Sequence, residues 1–185
     1  MMGTYEPHSY TFAPGNVLTI RSVQREDVEP LMLLNQEVLS EGDTMVTLPE
    51  EMQVSSNQAS VWLIRRVEHP CMLTLVARCG DTLVGYLLFT GERLKRFEHT
   101  GSFSIAVKKE WRGMGIGTLL LQSLLDWVKA HPTLEKVNLD VFATNSGAIR
   151  LYRRLGFVEE GRFRKAVKLA PGLYVDLIRM ARFVR

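Results

Sequence analysis

The sequence predicts an α/β fold in which a central mixed β-sheet of about seven strands is flanked by about four helices. Three observations predict it. Seven short apolar segments rich in Val, Ile, Leu, Phe and Thr have strand length, and four longer segments repeat apolar residues at helical spacing. Three strand segments follow one another between residues 73 and 107, which favours antiparallel pairing. A strand–helix–strand unit then spans residues 101–142, and such a unit makes parallel neighbours.

Residues 1–16 carry Gly3, Pro7, Pro14 and Gly15 with little periodicity, and read as a tail or early edge segment ahead of one domain at 17–185. Val17–Val23 is the first strand. Asp27 stands at the N-cap of a helix reaching Ser40, with Val28, Leu31, Leu34 and Val38 on one face. Gly42 and Pro49 bracket a loop, and Pro49-Glu50-Glu51 opens a second helix ending near Val67. Strands follow at Leu73–Arg78, Leu83–Thr90 and Gly101–Val107, the first two joined by a turn at Gly80-Asp81. The helix Gly115–Ala130 has Ile116, Leu119, Leu120, Leu124 and Val128 on one side and stops before Pro132. Val137–Phe142 is a strand and Asn145–Leu155 a short helix with Gly156 at its C′ position. Two last strands, Phe157–Val167 and Leu173–Phe183, flank a Pro171-Gly172 turn, and Leu173–Phe183 is expected at the sheet edge, open to pairing with a second copy.

Composition narrows the function classes. A chain of 185 residues with 46% hydrophobic and 23% charged residues is globular, and at that size about 70% of its surface is buried on folding. No apolar run approaches the ~18 residues of a membrane span, and Met1–Tyr10 lacks the features of a secretory leader. Cys71 and Cys79 are too few for a disulfide framework or a Cys-rich zinc site, and His8, His69, His99 and His131 are scattered, so no metal is expected. A cytoplasmic protein with neither membrane nor nucleic-acid partners is the expectation. The net charge of +3 is unevenly spread: Glu26–Ile64 carries −8 with no Lys or Arg, and Arg65–Arg185 carries +10. Two binding surfaces of opposite sign are one reading of this, and solvated helix faces the other.

Arg112-Gly113-Met114-Gly115-Ile116-Gly117 lies between a strand and a helix. Glycines let backbone amides approach a ligand closely, and the helix has no acidic residue in its first turn, so its positive end is open to an anion. With Lys108, Lys109 and Arg112 nearby, a phosphate or pyrophosphate is the ligand suggested. The P-loop pattern is absent. A dinucleotide fingerprint would use Asp140 at the next strand as the ribose-binding acid, but the glycine spacing and the five residues from strand to glycines fit it poorly.

Read whole, Arg112-x-x-Gly115-x-Gly117 after a strand ending Ile105-Ala106-Val107 resembles the acetyl-CoA-binding motif of the GNAT N-acetyltransferase superfamily. A second block, Asn145-Ser146-Gly147-Ala148-Ile149-Arg150-Leu151-Tyr152 followed by Gly156-Phe157, matches downstream. The resemblance implies the GNAT fold from Val17 to Phe183 and acetyl-CoA as cosubstrate. It implies that the backbone of Ile105, Ala106 and Val107 pairs with the pantetheine arm and polarises the thioester carbonyl. It implies that the amides of Arg112, Gly113, Met114, Gly115, Ile116, Gly117 and Thr118 hold the pyrophosphate. Asn145 matches a cofactor-arm contact and also suits a helix N-cap. Tyr152 matches the family's general acid and also suits a core position against Ile149 and Leu155.

Asp140 occupies the place where some ribosomal-protein N-terminal acetyltransferases carry a glutamate base, and equally reads as a charged strand end. The resemblance puts the first two helices and their loop beside the acceptor, which makes the acidic segment, with Glu37 and Glu41, the candidate surface for a cationic acceptor. The stretch from Glu41-Gly42-Asp43-Thr44-Met45 to Pro49-Glu50-Glu51 is similar to a subgroup of small bacterial acetyltransferases. Transfer of an acetyl group to a primary amine of a small cationic amine, an amino acid or a peptide N-terminus is the function implied, by direct attack in a ternary complex. A non-catalytic acyl-CoA sensor and a nicotinamide-dependent oxidoreductase are the alternatives.

Overall fold

In the computed structural model, residues 4–13, 15–42, 45–52 and 55–185 are described; Gly3, Pro14, Asp43 and Thr44 lie outside the described residues. Eight strands form one sheet: β1 (His8–Ala13), β2 (Asn16–Ser22), β3 (Met72–Cys79), β4 (Thr82–Gly91), β5 (Thr100–Val107), β6 (Lys136–Phe142), β7 (Val158–Ala170) and β8 (Leu173–Phe183). Their spatial order is β1-β2-β3-β4-β5-β6-β8-β7, and only the β5–β6 pair is parallel. Strand β1, which lies in the segment read as a tail or edge, pairs antiparallel with β2 and makes the eighth strand. Its run His8-Ser9-Tyr10-Thr11-Phe12 is short and sits between Pro7 and Pro14, so its β-propensity is easily overlooked.

The last two strands exchange their expected places. β8 lies between β6 and β7, and β7 is the edge. Composition explains this: β7 carries Glu159, Glu160, Arg162, Arg164, Lys165 and Lys168 and is exposed along nearly its whole length, as an edge must be to discourage further pairing. β8 buries Val175, Ile178, Met180 and Ala181.

Helices α1 (Val28–Ser40) and α2 (Ser56–Glu68) cover one face of the sheet, packing Val28, Leu34, Val38 and Leu63 on Val76, Leu83, Tyr86 and Ala106. Helices α3 (Ile116–Ala130) and α4 (Ser146–Arg154) cover the other. The second helix starts later than Pro49. Pro49–Met52 is a separate 3₁₀ turn, and α2 begins after Ser55, whose hydroxyl accepts from the Gln58 amide while Gln58 accepts from the Ser55 amide. Ser55-x-x-Gln58 is a capping box, a stronger start signal than Pro-Glu-Glu.

Asp27 does precede α1, but its fully buried carboxylate caps nothing in that helix. It accepts from Arg21 (2.6 and 3.1 Å), Arg78 (2.7 Å) and the Gln24 amide (2.7 Å), tying α1 to β2 and β3. Burial alone would raise its pKa; the Arg21, Gln24 and Arg78 donors outweigh that and hold it below the usual carboxylate range.

The feature that positions a site is the divergence of β5 from β6. Their parallel register runs only through Thr100–Lys136, Gly101–Val137 and Ser102–Asn138. Past Ser102 the strands separate, and the sheet opens between Phe103–Val107 and Leu139–Phe142. Gly101 stands at this fork because Phe89 packs across it: a Cβ there would lie 2.2 Å from Phe89 Cζ.

Candidate active site

A cavity of about 800 Å³ passes through the fork. Its walls are β5 from Phe103 to Val107, β6 from Leu139 to Phe142, the glycine turn, α4 and the α1 side of the sheet. The phase of β5 decides which backbone groups face it. Glu92 N–H donates to the Thr100 carbonyl and Lys108 N–H donates to the Val84 carbonyl, both at 2.9 Å. Between these bonds the β4–β5 register is unbroken, so even-numbered residues turn their amides and carbonyls to β4 and odd-numbered ones turn theirs to the fork. Phe103, Ile105 and Val107 thus present main-chain groups to the cavity with no strand opposite. Ala106 does not: its backbone faces Tyr86 on β4, and it forms part of the wall only. Of the three residues expected to offer their backbone, Ile105 and Val107 turn theirs to the fork and Ala106 turns its own to β4.

The glycine turn forms the next stretch of wall. A 3₁₀ turn at Lys109–Trp111 leads into it, and Gly113 (φ 78°) and Gly115 (φ 88°) adopt left-handed backbone that L side chains disfavour. Gly115 is the N-cap of α3, no side chain caps the helix, and its first turn has no acidic residue. Its leading amides are therefore free of intrahelical acceptors and available to an anion. Gly113, Gly115, Ile116, Gly117 and Thr118 line the cavity with Arg112; the Met114 side chain is half exposed and does not. α4 closes against this turn, since a Cβ at Gly117 would lie 3.2 Å from Leu151 Cδ2. Arg150 and Arg154, four residues apart on α4, both reach the cavity, whereas Arg153 points to Glu159 at 3.7 Å. One end of the cavity thus carries three guanidinium groups.

Asn145 does both things its position allows. Its Oδ1 accepts from the Ala148 amide at 3.1 Å as the N-cap of α4, and the residue lines the cavity. Tyr152, 6% exposed, also lines it, with its ring edge-to-face against Phe103 (5.8 Å) and Phe157 (6.0 Å). Its hydroxyl makes no hydrogen bond to any described residue, and burial pushes its pKa up to about 12. Asp140 is the one carboxylate among the described lining residues, and Arg179 grips both of its oxygens at 2.9 and 2.8 Å.

Glu37 and Glu41 do not line the cavity. Glu41 accepts from both terminal nitrogens of Arg112, at 2.6 and 2.8 Å, while Arg112 Nε donates to the Val107 carbonyl at 2.9 Å. Glu37 lies 3.7 Å from Lys108. The acidic helix and the basic turn, read separately from sequence as two surfaces, meet and neutralise one another here. The other end of the cavity is instead formed by Asn35, Val38, Leu39, Met45, Val46, Thr47, Met52, Tyr86 and Leu88. The sequence reading expects the first helix and the loop after it beside the acceptor, but only through Glu37 and Glu41; it does not single out Asn35, Tyr86 and Leu88, because Tyr86 and Leu88 read as core positions of a strand and Asn35 as one polar residue of a helix.

Residues 41–157 match the model of the Acetyltransferase (GNAT) family. The chain belongs to the GNAT acetyltransferase family. It is 30% identical over 131 residues to an L-amino acid N-acetyltransferase of Escherichia coli strain K12, covering 71% of this chain and 80% of the relative. Its fold superposes on a GNAT acetyltransferase from Streptococcus pneumoniae with a TM-score of 0.85 at 25% identity, covering 91% and 99% of the two chains. It also superposes on Salmonella typhimurium yncA, solved with its cofactor acetyl-CoA, with a TM-score of 0.80 at 21% identity, covering 91% and 94%.

This GNAT enzyme is an acetyl-CoA-dependent N-acetyltransferase. The residues present fit that cosubstrate. Uncapped amides on glycines and the two arginines of α4, Arg150 and Arg154, suit a pyrophosphate and its neighbouring phosphate, and a strand edge without a partner suits the amides of a pantetheine arm. The oxidoreductase alternative falls with the family assignment. No helix among the described residues is long and apolar enough to cross a membrane, and no group of His, Cys, Asp and Glu among them is arranged to hold a metal.

Proposed function

We propose that this enzyme acetylates the α-amino group of an amino acid or of a peptide's first residue by direct attack in a ternary complex. The observation that carries this is a single cavity joining the anion-binding turn, the free edge of β5 and the Tyr152 hydroxyl to a second, uncharged end with room for an acceptor. That the Escherichia coli relative is an L-amino acid N-acetyltransferase supports the acceptor class.

The roles follow from the groups. Amides of residues 113–118 and the guanidiniums of Arg150 and Arg154 hold the pyrophosphate end. The free Ile105 and Val107 amides pair with the arm, and one of them donates to the thioester oxygen as negative charge grows there. The acceptor nitrogen bonds to the acetyl carbon and the C–S bond breaks. The leaving sulfur takes a hydrogen bond, and finally a proton, from the Tyr152 hydroxyl, which solvent restores. The proton shed by the nitrogen leaves through water, with Asp140 the one carboxylate among the described lining residues. An amide and a free thiol are the products. Direct attack suits the site because neither Cys71 nor Cys79 lines the cavity.

Thermal melting with acetyl-CoA, free CoA and NAD tests the first half. A ligand at 100 times its Kd adds about 2.7 kcal/mol, which for a chain this size raises Tm by roughly 5–10 °C. Acetyl-CoA and CoA should shift the melt and NAD should not. Release of CoA thiol with L-amino acids and dipeptides tests the second half. No shift with either CoA species, or no release with any α-amine, overturns the proposal.

A further inference from the structure

The acceptor end of the cavity has a polar anchor. Asn35, on α1, lines the cavity, and the buried Tyr86 hydroxyl donates to its Oδ1 at 2.6 Å. That bond fixes the amide plane. Tyr86 is the donor in that bond, because the atom it meets is an amide oxygen, which can only accept. With Oδ1 engaged, the Asn35 amide nitrogen has two hydrogens and makes no hydrogen bond to any described residue. A donor of fixed direction on a cavity wall accepts a carbonyl or carboxylate oxygen from a ligand. Around it stand Val38, Leu39, Met45, Met52 and Leu88, with no charged side chain among the described lining residues of that end. Neither Glu37 nor Glu41 lines that end: Glu41 is held by both terminal nitrogens of Arg112, and Glu37 faces Lys108 at 3.7 Å.

We infer that Asn35 is the specificity-determining residue of the acceptor site: its amide donates to the carbonyl or carboxylate oxygen beside the acceptor's α-amine. The same site selects an apolar side chain, of leucine or methionine type, over a cationic one. Tyr86 is a positioning residue that acts through Asn35. This inference rests on the acetyl-transfer reading above and deepens it.

The test uses the full chain, saturating acetyl-CoA and four primary amines: L-leucinamide, L-lysinamide, 3-methylbutylamine and putrescine. The second matches the first in its backbone but carries a cation, and the third keeps an apolar branched chain but lacks the carbonyl. L-leucinamide should exceed each of the others at least tenfold in kcat/KM, measured as CoA thiol release. Asn35→Asp keeps an oxygen for Tyr86 and replaces the donor nitrogen by an oxygen. It should cost L-leucinamide at least tenfold, mostly in KM, cost free L-leucine more because two carboxylates then face each other, and leave the acetyl-CoA Kd unchanged. The gap between L-leucinamide and 3-methylbutylamine should close in that variant. Tyr86→Phe should raise the KM for L-leucinamide severalfold without changing its value for 3-methylbutylamine.

Equal or better use of L-lysinamide or putrescine by the wild type overturns the apolar selection, and a carbonyl gap that persists in Asn35→Asp overturns the anchor. Failure of every amine to release CoA, with the acetyl-CoA melting shift intact, overturns the transfer reading itself and is a separate result.

Discussion

Tyr152→Phe separates a catalytic hydroxyl from a core ring. The aromatic ring is held by Phe103 and Phe157 at 5.8 and 6.0 Å, and phenylalanine keeps both contacts. The hydroxyl has no hydrogen bond to any described residue, so its removal breaks none. Burial lifts the pKa from 10.0 to about 12, a preference for the neutral phenol of roughly 3 kcal/mol. Loss of the hydroxyl should therefore leave Tm within about 2 °C of wild type.

The rate should respond differently. A thiol of cysteine type titrates near 8.5, so full proton transfer from a phenol at about 12 is uphill by more than 3 pKa units. Early in C–S cleavage the hydroxyl acts as a hydrogen-bond donor to the sulfur, and the proton crosses late. Removing one preorganised donor to developing charge costs about 10²–10³ in kcat. The assay is CoA thiol release at saturating acetyl-CoA and acceptor, with the acetyl-CoA Kd measured alongside and expected within threefold of wild type. Wild-type kcat should show no alkaline fall from this group below about pH 11. A kcat within threefold of wild type would refute the reasoning, as would a Tm loss above about 4 °C, which marks a structural hydroxyl.

Three further outcomes follow from the fold. Asp27→Asn should cost about 3–5 kcal/mol and lower Tm by about 10 °C, because it strips the counter-charge from Arg21 and Arg78, whose side chains are only 14% and 18% exposed. Since the folded Asp27 pKa is depressed, its stabilisation is complete above the unfolded value near 3.9 and is lost as pH falls through the folded value, so urea titrations from pH 5 downward should show that loss in wild type and not in the variant. Gly101→Ala puts a Cβ 2.2 Å from Phe89 Cζ and 2.8 Å from the Thr90 carbonyl; it should cost about 1–3 kcal/mol by melting and also weaken acetyl-CoA binding, because the fork opens one residue later. Glu41→Gln should change Tm by less than about 3 °C, since its pair with Arg112 is partly solvated (side chains 21% and 40% exposed), and should leave acceptor KM within threefold, whereas a large rise in KM for cationic acceptors alone would restore Glu41 to the acceptor surface.

What could be read from sequence was local. The glycine turn and the block from Asn145 to Gly156 are contiguous, and their backbone demands are written in the residues themselves: two left-handed glycines before α3, an asparagine cap and a C′ glycine at φ 79°. What could not be read depends on distant partners. Arg112 and Glu41 are 71 residues apart, and Asn35 and Tyr86 are 51 apart, so no spacing rule joins either pair. The exchange of β7 and β8 is likewise a matter of which strand pairs with the distant β6, although the charged face of β7 was a usable hint. Asp27 shows a local signal with a non-local answer: N-cap in position, counter-ion in fact. The phase of β5 needs one hydrogen bond at each end of the strand, and sequence supplies neither.

The neutralised acidic helix bears on the one role still open, that of the base. An acceptor site lined with free carboxylates would bind an ammonium ion well and thereby hold it protonated, which opposes attack. An uncharged, apolar end does the reverse: desolvation disfavours the ammonium and lowers the amine's pKa. For an α-amine near 7.8, deprotonation at pH 7 costs only about 1 kcal/mol even in water, so a small push suffices, whereas a lysine-type amine near 10.4 would need about 4.6 kcal/mol. On the proposed mechanism Asp140 takes the lesser task of orienting a water, a reading supported by Arg179 holding both its oxygens. Asp140→Asn should then lower kcat/KM for an α-amine by less than about tenfold, below the roughly 10²–10⁴ that a direct general base contributes. The acid limb of the pH profile should survive in that variant and should move with the amine's own pKa across a series of amides and esters. If Asp140 instead takes the proton directly, the variant loses 10² or more at every pH, and the limb stays fixed whichever amine is used.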